Sequence, residues 1–177
     1  MAREIIPFDS LRVNPHYLWN KTWMLLTAGD FAAGHYNTMT VGWGSLGTMW
    51  GRPFSQIVVR PTRYTFEFTE EYGSFTLCAF LEDQRWALDY LGTHSGREGD
   101  KLAKVRLTPI PSTQVAAPGF DEAELIIECE KIYWDDMKPE HFVDPAFGRH
   151  YEGSDYHRIY YGEIVAITGE EIYRSGK

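Results

Sequence analysis

Two arginines and two threonines crowd one short segment, Arg60-Pro61-Thr62-Arg63-Tyr64-Thr65. A strand pattern ends at Arg60, Pro61 fixes a turn, and a helix pattern then begins with free backbone amides. Amide donors, the positive end of a helix dipole and fork-shaped guanidinium groups are what an isolated phosphate needs. The same residues also suit a capped helix whose arginines pair with surface carboxylates, which is common on protein surfaces. A second polar stretch, Thr93-His94-Ser95-Gly96-Arg97-Glu98-Gly99-Asp100-Lys101, brings hydroxyls, amides and cations to another helix start. It reads either as a further anion-binding element or as a connection with a capping box from Ser95 to Glu98.

Gly42-Trp43-Gly44-Ser45-Leu46-Gly47 matches G-x-G-x-x-G, the dinucleotide fingerprint. That fingerprint works only where a helix starts inside it, so that its first amides meet the pyrophosphate. Here Gly51 and Pro53 follow closely and a helix cannot run through them, so a Rossmann site is rejected. What remains is a strand end whose glycines let backbone approach a flat ligand, or a turn without one. His141, His150 and His157 lie among Asp136, Asp144 and Asp155, but their spacing is wider than metal sites favour. No metal is expected. Neither a G-x-S-x-G elbow, a P-loop nor an H-E-x-x-H is present, and nothing points to a hydrolase.

The elements that must position these residues read mainly as strands. Thr22–Thr27 is one, ended by Ala28-Gly29-Asp30, and Asn37–Val41 runs into the glycines. Phe54–Arg60 begins after Pro53 and is stopped by Pro61. Ser74–Leu81, Glu122–Trp134 and His157–Thr168 complete six. In Glu122–Trp134, Leu125, Ile127 and Cys129 share one face while Glu128 and Glu130 mark the other as solvated. Helices are expected at Thr62–Glu71, capped by Thr62, at Glu82–Leu91, and briefly at Asp100–Val105 with Asp100 as cap. In the second, Trp86 with Tyr90 and Ala87 with Leu91 fall on one apolar face. The stretch after Val105 and the segment 135–155 read as loops, and an ordered loop as long as the latter usually has a task such as a lid or dimer arm.

The length, 177 residues, suits one domain over 1–177 with a closed core. A net charge of −8 argues against a nucleic-acid partner, which needs clustered Lys and Arg. Aromatic residues are 15% of the chain, enough to line a flat-ligand pocket or a subunit interface as well as strands. Cys78 and Cys129 sit singly in strand patterns and read as small buried apolar residues. No signal peptide or apolar run long enough to span a membrane is seen, and a cytoplasmic protein is expected.

The order of the segments resembles the flavin reductase-like family, in particular its flavoredoxin-like branch. The resemblance rests on Asn37-Thr38-Met39-Thr40-Val41-Gly42-Trp43-Gly44, Trp50-Gly51-Arg52-Pro53, Val59–Thr65, Leu91–Lys101, and Tyr156-His157-Arg158 followed by Gly162-Glu163-Ile164. Glu98 stands where Asp is expected in many relatives, so the acid is kept. The resemblance implies a mainly β protein, an FMN-binding split β-barrel of about six antiparallel strands with peripheral helices. It further implies a homodimer with FMN at or near the subunit interface. By the same resemblance, Asn37, Thr38, Met39, Thr40, Gly42 and Trp43 would edge the ring and ribityl chain. Arg60, Arg63 and Thr65 would approach the phosphate or ribityl end, joined by Ser95, Gly96 and Lys101. Tyr156 and His157 would complete the cofactor site, from this chain or its neighbour. The implied activity is hydride transfer from NADH or NADPH to the flavin, which needs no dedicated protein acid or base. Electrons would then pass to a downstream acceptor. The rival is a flavoredoxin-type electron carrier reduced by a redox protein, and a third reading is a split-barrel module holding haem.

Overall fold

The computed structural model describes residues 3–151 and 153–175. Its strands are β1 (Glu4–Ile5), β2 (Met24–Asp30), β3 (His35–Val41), β4 (Gly44–Met49), β5 (Arg52–Val59), β6 (Ser74–Ala79), β7 (Pro109–Ile110), β8 (Gly119–Phe120), β9 (Leu125–Asp136) and β10 (Arg158–Gly169). Eight of them form an antiparallel sheet in the order β3-β2-β6-β9-β10-β5-β4, with β1 also on β10, while β7 and β8 pair separately. The sheet is a split barrel. One face encloses a core built from Leu26, Val41, Ile57, Phe75, Ile127 and Ile164, with Phe68 and Trp19 among its buried members. The opposite face carries a second core, in which Leu25, Cys78 and Ile126 pack with Leu88, Leu91 and Phe120.

Three helical elements flank it. The turn α1 (Pro15–Tyr17) runs into a π-helical turn over Leu18–Thr22. Helix α2 (Tyr64–Glu71) begins two residues later than the sequence suggests, with Arg63 rather than Thr62 at the cap position and no side-chain cap. Helix α3 (Arg85–Thr93) buries Ala87, Leu88 and Leu91, whereas Trp86 is about half exposed and leaves the apolar face. The expected helix over 100–105 is a single 3-10 turn, Leu102–Lys104, with Asp100 Oδ1 accepting from Ala103 N at 3.2 Å.

The strands also depart from expectation. Ala28-Gly29-Asp30 continues β2 instead of ending it, because β3 pairs along its whole length to His35. Gly44–Met49 reads as a turn in sequence, yet pairing with β5 makes it a strand, closed by a two-residue turn at Trp50-Gly51. Pro53 lies inside β5; it is tolerated because the pairing of β10 with β5 stops at Phe54. Glu128 is not solvated. It is 1% exposed, and its carboxylate accepts from Thr113 N, Thr113 Oγ1 and Gln114 N at 2.9, 3.0 and 2.7 Å. The 111–117 loop therefore covers the face that the glutamates seemed to mark as wet. Segment 137–157 is a loop carrying two 3-10 turns, Pro139–His141 and Pro145–His150. Both cysteines are buried and unpaired. Among the described residues, no helix is long and apolar enough to cross a membrane.

Candidate functional site

Strand β3 carries two adjoining recesses that share Met39. The first, about 90 Å³, lies between β3, the start of α2 and the turn after α3, and it gathers Asn37, Met39, Arg63, Thr65, Ser95, Gly96 and Lys101. Its cations are held at the C-terminal end of α3. Lys101 Nζ donates to Leu91 O at 2.8 Å and His94 O at 3.0 Å, and Arg63 donates to Gly92 O. That placement is favoured by the negative end of the helix dipole. Neither cation has a carboxylate within ion-pair distance among the described residues. Lys101 is 7% exposed, and burial, with the charge of Arg63 added, pulls its ammonium down to about 8. Burial and the charge of Arg60 lower Arg63 as well. Lys101 has a third N–H to spare and Arg63 several, a donor set with which the pair could hold an anion.

The frame of this recess is tied together by a buried hydrogen bond and close packing. Asn37 Nδ2 donates to Thr65 Oγ1 at 2.7 Å, tying β3 to the first turn of α2, and both residues are buried. Gly96 fits against them only without a side chain. A Cβ there would stand 2.8 Å from Tyr64 Cδ1 and closer still to Asn37 Oδ1. Ser95 Oγ accepts from Arg97 N at 3.2 Å, so Ser95 caps the turn that presents Gly96, although Glu98 makes no reciprocal side-chain bond.

The second recess, about 230 Å³, is lined by Met39, Thr40, Val41, Gly42, Trp43, Val58, Arg60 and His157. Gly42 and Trp43 bridge β3 to β4. Gly44 follows without a side chain because the indole of Trp19 passes under it; a Cβ would lie 2.7 Å from Trp19 Cζ2. The Trp43 ring stays half exposed, 5.3 Å from the His157 ring and 5.7 Å from that of His150. His157 Nδ1 is 2.9 Å from Tyr151 Oη. Burial, with Arg60 adding to it, pushes His157 down to about 4, so at neutral pH it presents an uncharged imidazole.

Not every expected residue enters these recesses. Thr38 is fully buried on the other face of β3, donating to Leu26 O at 3.0 Å and facing Thr27 Oγ1 at 3.1 Å. It lines neither recess, its hydroxyl being spent on the neighbouring strand β2. Arg60 lines the second recess rather than the first, and its guanidinium is engaged. It grips Asp155 at 3.0 Å and His150 O at 2.7 Å, 5.2 Å from the Tyr151 ring centre. It therefore ties the 137–156 loop to the end of β5. Tyr156 lines neither recess and stacks on Tyr151 at 4.8 Å, whereas His157 reaches the site within its own chain. His141, His150 and His157 do not form a metal-binding cluster among the described residues. Tyr151 and Asp155, which hold His157 and Arg60, escape sequence reasoning because nothing in an irregular loop marks its inward residues. Thr62, Thr93 and His94 lie within segments the sequence singles out and line the first recess.

The profile of the flavin reductase like domain matches residues 19–175, and the chain belongs to that family. The fold is correspondingly shared with solved structures. A flavoredoxin of Desulfovibrio vulgaris (Miyazaki F) is 23% identical, with a TM-score of 0.66 over 88% of this chain and 73% of that one. An FMN-binding domain of a flavin reductases-like enzyme from Shewanella baltica is 16% identical, with a TM-score of 0.69 over 95% and 77%. An NADH:FAD oxidoreductase of Streptomyces globisporus is 18% identical, with a TM-score of 0.63 over 88% and 78%. An uncharacterized protein of Archaeoglobus fulgidus is 24% identical over 121 residues, which are 68% of this chain and 59% of that protein.

Proposed function

We propose that the chain is an FMN-binding oxidoreductase that accepts electrons from NADH or NADPH and passes them to a downstream acceptor, acting as a single domain. The observation that carries this reading is the pair Arg63 and Lys101, cations without a carboxylate partner among the described residues, in a recess that shares Met39 with one lined by Trp43. A phosphate at one end and a flat ring at the other is the outline of FMN. A bound flavin supplies hydride acceptance and electron release, and the chain supplies position and electrostatics. Arg63 and Lys101 would neutralise its phosphate in the recess that the Ser95-Gly96 turn also lines. Gly42 would let backbone approach the ring, and Trp43 would shield one edge of it from water. His157, held neutral by burial and oriented by Tyr151, offers a hydrogen bond without adding charge. None of these roles demands a protein acid or base.

A homodimer remains part of the reading, supported by the exposed rings of Trp50 and Tyr133, which meet edge to face at 6.2 Å on the outside of the sheet. The electron-carrier reading is favoured by one feature. His150 stands edge-on to Trp43 and narrows the approach that a stacked nicotinamide would use. Anaerobic addition of NADH, then NADPH, to the FMN-loaded protein decides between them. Prompt bleaching of the flavin band is expected of the reductase; a band that bleaches only with a reduced redox protein establishes the carrier.

A further inference from the structure

The surroundings of Lys101 hold its amine in one orientation. Nζ donates to Leu91 O at 2.8 Å and to His94 O at 3.0 Å, while Asp100, its neighbour in the chain, is turned to Ala103 N. Of the four tetrahedral positions on Nζ, one is the bond to Cε and two point at carbonyls. The fourth is left over. In the charged form it carries the third N–H, the one a phosphate oxygen would take. In the neutral form both remaining N–H groups stay on the carbonyls and the fourth position holds the lone pair. Burial and the charge of Arg63 pull the ammonium down to about 8, so at that pH about half of the residue is a free amine, against less than about 1% of an ordinary lysine.

Lys101 lines both the first recess and a larger one of about 580 Å³ beside it, so a small reagent meets it from solvent. Arg63 also lines the first recess, and the two cations rest on consecutive carbonyls, Leu91 O and Gly92 O. A fork of guanidinium donors therefore stands next to a held nucleophile. That pairing suits a reagent whose leaving group is a phosphate and whose electrophilic carbon is one oxygen away from it. Lys131 gives the contrast. Burial lowers its ammonium as well, but its charged neighbour is Glu70, which repels a phosphate, and it lines neither recess.

We infer that Lys101 is a site of acyl transfer from small acyl phosphates, which turns the recess from cationic to uncharged. The lone pair of Nζ attacks the acyl carbon and the bond from that carbon to the phosphate oxygen breaks. Inorganic phosphate leaves with the electron pair and takes one proton from the nitrogen; nothing is oxidised or reduced. The amide keeps a single N–H for two carbonyls and no charge, so, on the flavin reading, FMN affinity falls about 10- to 100-fold.

Treating the full chain with acetyl phosphate at pH 8 and mapping acetylated lysines by mass spectrometry tests the inference. Arg63→Ala and p-nitrophenyl acetate, an acetyl donor without a phosphate, run in parallel. Lys101 should be acetylated by acetyl phosphate about tenfold faster than Lys131 and slowed about fivefold by inorganic phosphate, and Arg63→Ala should lose that advantage while p-nitrophenyl acetate still labels its Lys101. Should Arg63→Ala fail to fold, protection by phosphate in the unmodified chain decides alone. Lys101 labelled no faster than Lys131, or at a rate that phosphate leaves unchanged, overturns the inference. If FMN binds and Lys101 is inert, the inference alone falls; if Lys101 is acetylated and FMN does not bind, the FMN reading alone falls.

Discussion

Replacing Gly96 with alanine tests the way the phosphate recess is framed. The added Cβ would sit 2.8 Å from Tyr64 Cδ1 and nearer still to Asn37 Oδ1, both tighter than real Cβ contacts. Neither neighbour can yield easily. Tyr64 packs edge-on against Phe68 at 5.1 Å, and Asn37 is buried and bonded to Thr65 at 2.7 Å. Overpacking of this kind costs about 1–3 kcal/mol. Loss of the Asn37–Thr65 bond would add roughly 1 kcal/mol. The strain can be relieved by lifting the Ser95–Lys101 turn, which moves Lys101 off the carbonyls of α3 and opens the anion site. Stability and FMN affinity should therefore fall together, the affinity by about 5- to 150-fold if the strain is fully expressed in binding. Gly73→Ala is the control, since a Cβ there meets nothing within 4 Å. Thermal unfolding and FMN titration of both variants check the argument. A Gly96→Ala protein that melts and binds like the unmodified chain, as Gly73→Ala should, refutes it.

Three other outcomes follow from the same geometry. Lys101 releases its proton near pH 8 instead of 10.5, and an anionic ligand prefers the charged form. FMN affinity should hold below pH 8 and fall above it by up to about tenfold per unit, while the ligand-free protein gains stability over that range because its unfolded state binds more protons; affinity flat to about pH 9.5 would remove Lys101 from the site. Asp155→Asn takes away the charge partner of Arg60, so proteolysis within the 137–151 segment should accelerate several-fold with the melting temperature little changed; an unchanged digestion pattern would mean that Arg60 does not hold the loop. Glu128→Gln sets an amide N–H against the donors of Thr113 and Gln114, at a cost of about 1–3 kcal/mol seen in denaturant unfolding; an unaffected midpoint would show that the buried carboxylate is not what anchors the 111–117 loop.

The sheet was largely legible because alternation, β-branched residues and proline punctuation are local signals. Six strands can be placed this way, and the deviations are at their ends. β4 could not be, since Gly44 and Gly47 have no strand preference of their own and acquire it from the ladder with β5 and the indole of Trp19. Glu128 misleads for a similar reason: its neutralising partners are backbone amides of a loop 14 to 15 residues away in sequence. At the site, Arg63, Thr65, Gly96 and Lys101 are marked by residue type and by neighbouring helix starts, and the fold brings them together. Thr38 and Arg60 show the limit. The hydroxyl of one is taken by a carbonyl of the neighbouring strand β2, and the partner of the other, Asp155, comes from a loop whose path no periodicity encodes. The cations also differ from the sequence picture, since they rest on the C-terminal carbonyls of α3 instead of flanking the amides of α2.

The central claim is that FMN occupies the two recesses along β3, and the most direct measurement is a fluorescence titration of FMN with the purified chain and with its Arg63→Ala and Trp43→Ala variants. The account predicts saturable quenching at about one flavin per chain, weakened strongly by Arg63→Ala through the phosphate and altered in its spectrum by Trp43→Ala through the ring. No quenching by the unmodified chain, or identical curves for all three proteins, would contradict it.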